Sequence, residues 1–213
     1  MRRAKTIFRE VGVLPAPRPR SGTAIVAVAA ALALTTGCAS KSPPPSPPCE
    51  QECKDAVALR ALREMMKYAF NLIVQGRPVG PQDGVTDLFL SGTARIFGVV
   101  TADPLQGVTK VEHLTYVFTN ANYGTKEDEP DENYDVVLDG TLTQEGIIAV
   151  QPSATTAVRI RGTDVRLAGK VYDPPLDYGP PLDYAEPGCV VDVTQSGNDV
   201  AGNFCGRKAG FSF

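Results

Sequence analysis

VTKVEHLTYVFTN, residues 108–120, is the stretch that decides how this chain reads. Leu114, Tyr116 and Phe118 fall on one side, and Val111, His113 and Val117 on the other. Side chains of an extended backbone point alternately to opposite faces, so a period of two marks a strand in a sheet. Working outward, further strands are expected at Thr93–Thr101, Tyr134–Thr143, Ile147–Val150, Thr156–Arg161, Asp164–Tyr172, Cys189–Thr194 and Val200–Arg207. Gly162-Thr163 reads as a turn, and Ser196-Gly197-Asn198-Asp199 as the turn of a hairpin. Strands at such short intervals, with no second helical stretch between them, predict an antiparallel meander. Gly98, Gly140, Gly169 and Gly202 fall inside strands, where glycine marks bends or bulges.

Helical periodicity is confined to the segment before this. Leu59, Leu62, Met66, Phe70 and Ile73 recur every three or four residues, which predicts one helix over 50–75. Arg60, Glu64, Lys67 and Asn71 occupy the opposite side, and Gly76, Pro78, Gly80 and Pro81 stop it. The expected fold is therefore mainly β: an antiparallel meander forming a curved sheet or incomplete barrel, with one long N-terminal α-helix packed on it. The apolar stripe belongs to that packing, not to a partner helix.

The 213 residues divide into a leader, 1–37, a short spacer, 38–48, and a helix-plus-sheet domain, 49–213. The net charge of −3 is unevenly spread. Six basic residues and one acidic residue precede Cys38, which leaves fifteen basic against 23 acidic afterwards, a charge of −8. Such a field repels phosphate backbones, so nucleic acid is not an expected partner.

Met1 to Arg20 is basic, and Thr23–Thr36 is an uncharged run of 14 residues, too short to span a bilayer and fitting for a signal peptide. It ends in Leu34-Thr35-Thr36-Gly37-Cys38, which resembles the bacterial lipobox, with threonine where leucine is commonest. The resemblance implies a diacylglycerol thioether on Cys38, cleavage before it and acylation of the new N-terminus. Ala39 at the next position implies lipid anchoring at the outer membrane, on its periplasmic face or the cell surface. Anchoring by several acyl chains is effectively permanent, at about 0.8 kcal/mol per buried methylene. The segment ASKSPPPSPP, residues 39–48, favours polyproline II and reaches roughly 30 Å at about 3.1 Å per residue, a stalk. The body beyond it is similar in style to β-rich bacterial lipoproteins, a likeness without a specific motif that implies no activity.

With Cys38 lipidated, Cys49, Cys53, Cys189 and Cys205 remain, an even number in an oxidising compartment. Three connectivities are possible. The hairpin sets Cys189 and Cys205 symmetrically about Gly197, which favours local pairs; crossed pairs between helix and hairpin would close longer loops. Zinc is the competing use, and these spacings suit it poorly.

Other features have bland readings. Glu127-Asp128-Glu129-Pro130-Asp131-Glu132 lacks the spacing of a calcium loop and reads as a solvated connection. His113 has no nucleophile elbow to serve and reads as structural. Pro174–Gly179 is repeated in tandem as Pro180–Ala185, and the repeat presents Tyr178 and Tyr184 as a candidate interaction surface. No catalytic residue, metal site or cofactor is expected. The expected role is a membrane-anchored, non-enzymatic binding or structural module that meets an envelope protein, glycan or polymer. The alternative is a carrier of a lipid or other apolar ligand between sheet and helix.

Overall fold

One helix and eight strands follow one another in the computed structural model, which describes residues 49–103, 108–125, 134–148, 155–171 and 181–213. They are α1 (Gln51–Ile73), β1 (Gly80–Thr86), β2 (Ser91–Asp103), β3 (Val108–Gly124), β4 (Tyr134–Ile148), β5 (Ala157–Val171), β6 (Leu182–Ser196), β7 (Asp199–Phe204) and β8 (Arg207–Ser212). The strands form one sheet in sequence order, each antiparallel to the next. The mainly β class, the meander and the single packed helix are as expected. The sheet is open, with β1 and β8 as its edges, so no barrel closes. Residues 1–48, which hold Cys38 and the proline-rich segment expected to form a stalk, lie outside the described residues, as do the acidic run at 127–132 and Tyr178.

Several boundaries differ from the sequence reading, and bulges account for most of them. Thr143 and Ile147 belong to one strand, β4, and the expected turn at Gly162-Thr163 is instead a register shift within β5. A bulge absorbs an irregular residue without ending the strand. The alternation at 108–120 is likewise broken: the register slips between Val111 and Leu114, so both are buried while His113 turns outward. Gly98 accompanies the slip. Its φ is 142°, and a Cβ there would stand 2.0 Å from the carbonyl oxygen of His113. Only glycine fits such an approach.

Two strands were missed, both at edges. Gly80 and Pro81 read as helix stops, yet they lie in β1. An edge strand tolerates proline because it need not donate on both sides. β8 is six residues long with Phe211 as its one large apolar side chain, too little pattern to see.

The missing β8 explains a larger correction. α1 is not a one-sided amphipathic helix: within it only Gln51, Glu52, Asn71 and Leu72 are exposed. Leu59, Leu62, Met65 and Met66 are fully buried, as are Ala58, Ala61 and Ala69. The side expected to meet water is covered by the C-terminal strand, where Arg60 donates to the Ser212 carbonyl at 3.0 Å and lies over the Phe211 ring. Side chains therefore fill most of the space between helix and sheet.

The hairpin at 196–199 is as expected, with Ser196 paired to Asp199 around Gly197 and Asn198. Gly197 has φ 60°, the conformation a two-residue turn with glycine first requires. Disulfides join Cys49 to Cys53 and Cys189 to Cys205. Cys205 sits in the β7–β8 turn, where its amide donates to the Val190 carbonyl at 3.0 Å.

Candidate functional site

Two polar clusters are buried beneath α1, one near its N-terminus and one at its middle. The N-terminal cluster centres on Asp55, whose side chain is 1% exposed. Arg207 approaches it from β8 with two hydrogen bonds, Nε to Oδ2 at 2.5 Å and Nη2 to Oδ1 at 2.9 Å. Tyr184 donates its hydroxyl at 2.9 Å, Gln51 its amide at 2.9 Å, and Glu186 Oε1 accepts from the same Nη2 of Arg207. Burial raises the Asp55 pKa, but the donors outweigh it and the carboxyl lies below its usual value. Tyr184 moves the opposite way, raised by burial and by its bond to Asp55. Every charge here has a partner, so the cluster is a clamp between helix and sheet. Tyr184 is thus no part of an exposed interaction surface: at 4% exposure it is a buried member of this clamp.

The cluster at the middle of the helix differs. Arg63 is 6% exposed, and its Nε donates to Gln195 Oε1 at 2.8 Å. Gln195 is fixed in turn by its own amide, which donates to the Gly197 carbonyl at 3.0 Å. Among the described residues no carboxylate stands within ion-pair distance of Arg63. Burial lowers the Arg63 pKa, opposed by Tyr116 and Glu64, yet a guanidinium keeps its charge in proteins. Gln144 is 1% exposed and its Oε1 has no partner among the described residues; the hydroxyl of Tyr116, fully buried, has none among them either. Burying a charge without compensation costs on the order of several kcal/mol, and an unsatisfied polar group about 1–3 kcal/mol.

A cavity of about 140 Å³ opens beside these groups. Arg63, Lys67 and Arg77 line it together with Gln144 and Gln195, and Phe70, Val74, Val100 and Ile148 supply an apolar side. The described lining thus has three cations and no carboxylate side chain, on a body whose charge is negative. Lys67 is partly neutralised by Glu64 at 3.1 Å and lies 5.7 Å from the Phe213 ring centre. A wider groove of about 1,080 Å³ runs between the start of α1 and strands β7 and β8. Its Glu50, Glu52 and Lys208 are exposed, so no desolvated charge calls for a ligand there.

His113 stands on the outer face of β3, half exposed, with Nε2 3.2 Å from Thr115 Oγ1 and Nδ1 3.7 Å from Glu145. It does not line the cavity. Among the described residues no group of three or more His, Cys, Asp or Glu side chains is arranged to hold a metal ion, and no helix is long and apolar enough to cross a membrane. No protein-family model matches the chain, and neither a curated protein nor a solved structure matches it.

The sequence held signals for this site. Arg63 lies four residues after Leu59 and three before Met66, within the apolar stripe. Gln195 continues the inward positions of Val191 and Val193, and Gln144 follows Leu142 in the same way. A polar residue at an inward position of an alternating strand is informative, because burial there requires a partner.

Proposed function

We propose that this chain is a lipid-tethered, non-enzymatic binding protein of a bacterial outer membrane, held through Cys38 and taking a small ligand at the end of its helix. One observation carries the binding half: a buried Arg63 that, among the described residues, has no ion-pair partner and faces a cavity with two more cations and no carboxylate side chain. The lipobox-like Leu34–Cys38 and the proline-rich stalk support the tether. The position of His113, away from the cavity, supports binding without chemistry. Envelope proteins and glycans remain the partners that a domain on a stalk of roughly 30 Å would meet. A carrier of long apolar chains between sheet and helix would need Leu59, Leu62, Met65 and Met66 to move apart, since all four are fully buried.

Native mass spectrometry of the full chain extracted from membranes tests both halves. The expected spectrum has the acylated mass of a chain beginning at Cys38, with a non-covalent companion lost on activation. An unmodified N-terminus overturns the tether. Ligand-free protein in every preparation overturns the binding role.

A further inference from the structure

We propose that the cavity beside the C-terminal half of α1 binds a small organic carboxylate with a ring-sized apolar body and a hydroxyl group. This rests on the binding role above and names the ligand's chemistry. Arg63 supplies the charge: it is 6% exposed, uses Nε on Gln195, and lines the cavity. A guanidinium matches a carboxylate in plane and can hold it by two parallel bonds. Gln144 supplies the second contact. Its buried Oε1 is an acceptor without a donor, which a ligand hydroxyl satisfies and a second carboxylate does not.

Size and polarity restrict the remainder. About 140 Å³ is close to a cavity of about 150 Å³ that takes up benzene. Phe70, Val74, Val100 and Ile148 give the body an apolar wall. A bare phosphate would leave that wall in contact with water, and an uncharged alcohol would leave Arg63 unpaired. The helix dipole opposes an anion at the last turn, but the effect fades within one turn. Arg63 lies ten residues before Ile73, about 15 Å back along the axis.

The test is calorimetric titration of the full chain in zwitterionic nanodiscs with 4-hydroxybenzoate, benzoate, benzyl alcohol and inorganic phosphate. Saturable binding of 4-hydroxybenzoate is expected, at least tenfold tighter than benzyl alcohol and phosphate. Arg63→Met should weaken it at least tenfold. Gln144→Leu should erase the preference for 4-hydroxybenzoate over benzoate while leaving benzoate bound. Ile148→Trp, at the partly buried edge of the cavity, should block both, and cooperative unfolding of all three variants in urea excludes a fold failure as the cause. Equal binding of benzyl alcohol, equal binding of phosphate, or no saturable binding of either carboxylate overturns the proposal. A different companion in the native spectrum, with no carboxylate binding here, removes the ligand class and leaves the binding role standing. An unmodified N-terminus touches only the tether.

Discussion

Asp55 and Arg63 sit eight residues apart on one helix, about 12 Å along its axis, and both are buried against the same sheet. Asp55 is surrounded by donors from α1, β6 and β8. Arg63 has one glutamine oxygen and a cavity. The difference teaches where a fold has finished its own electrostatics and where it has left them for something else. A saturated cluster ties elements together; an unsaturated one beside empty space has affinity to spare.

The comparison breaks first if the clamp proves weak. Arg207→Met would leave the Asp55 carboxylate buried with only Gln51 and Tyr184 as donors, and breaking a buried pair from one side costs about 3–5 kcal/mol. Urea unfolding should show that loss; a change under 1 kcal/mol, roughly the worth of a surface pair, would mean the clamp holds nothing. The pH profile gives a second reading of the same group. Asp55 titrates below its unfolded value of 3.8. The unfolded chain therefore takes up its proton first as acid is added. The stability from Asp55 is fully present above about pH 4 and is lost as pH falls through the lower folded value. Tyr184 has the opposite sign: its folded pKa is raised above 10.0, so its contribution persists up to about pH 10 and declines above it.

Disulfide removal is the next largest effect. Cys189 and Cys205 are 16 residues apart and should contribute about 3 kcal/mol by loop-closure entropy; Cys49 and Cys53, 4 apart, about 2 kcal/mol. Paired Cys→Ala variants compared by thermal unfolding should keep that order. If removing the shorter loop costs more, the bond acts through the helix start beside Asp55 and belongs energetically to the clamp. Tyr184→Phe comes next, at about 2 kcal/mol for one lost hydrogen bond to a buried charge. No measurable cost would show that Arg207 alone satisfies Asp55.

How much of this was legible in the sequence depended on whether a residue obeyed its local pattern. Leu114, Tyr116 and Phe118 did, and the sheet followed from them. The short-range cysteine pairs also followed, because the hairpin turn at Gly197 was readable from Gly-Asn. Val111 misled, since the bulge before Leu114 leaves no mark of its own beyond Gly98 on the neighbouring strand. β8 was invisible because Arg207–Ser212 carries little apolar pattern, and with it went the cover over Arg60 on the side of α1 expected to meet water. Tyr184 misled for the same reason. Placed in a proline-rich duplication it looked like surface, but its register opposite Gly169 turns it inward to Asp55. The clamp needed tertiary contacts more than 120 residues apart, which no local window contains.

The smallest expected effect separates the two clusters most sharply. Arg63→Met removes a charge that has no carboxylate in contact among the described residues and replaces it with a shorter, flexible apolar side chain. The loss is the hydrogen bond to Gln195, whose buried Oε1 is left without that donor at a cost of about 1–3 kcal/mol, while the gain is relief from desolvating a guanidinium. The two nearly cancel, so unfolding without ligand should lie within about 1 kcal/mol of the parent chain or on the more stable side. With 4-hydroxybenzoate present the order should reverse, because a ligand stabilises only the chain that binds it. A loss of about 3 kcal/mol without ligand, as expected for Arg207→Met, would make Arg63 a second clamp and leave the cavity beside it without a purpose in binding.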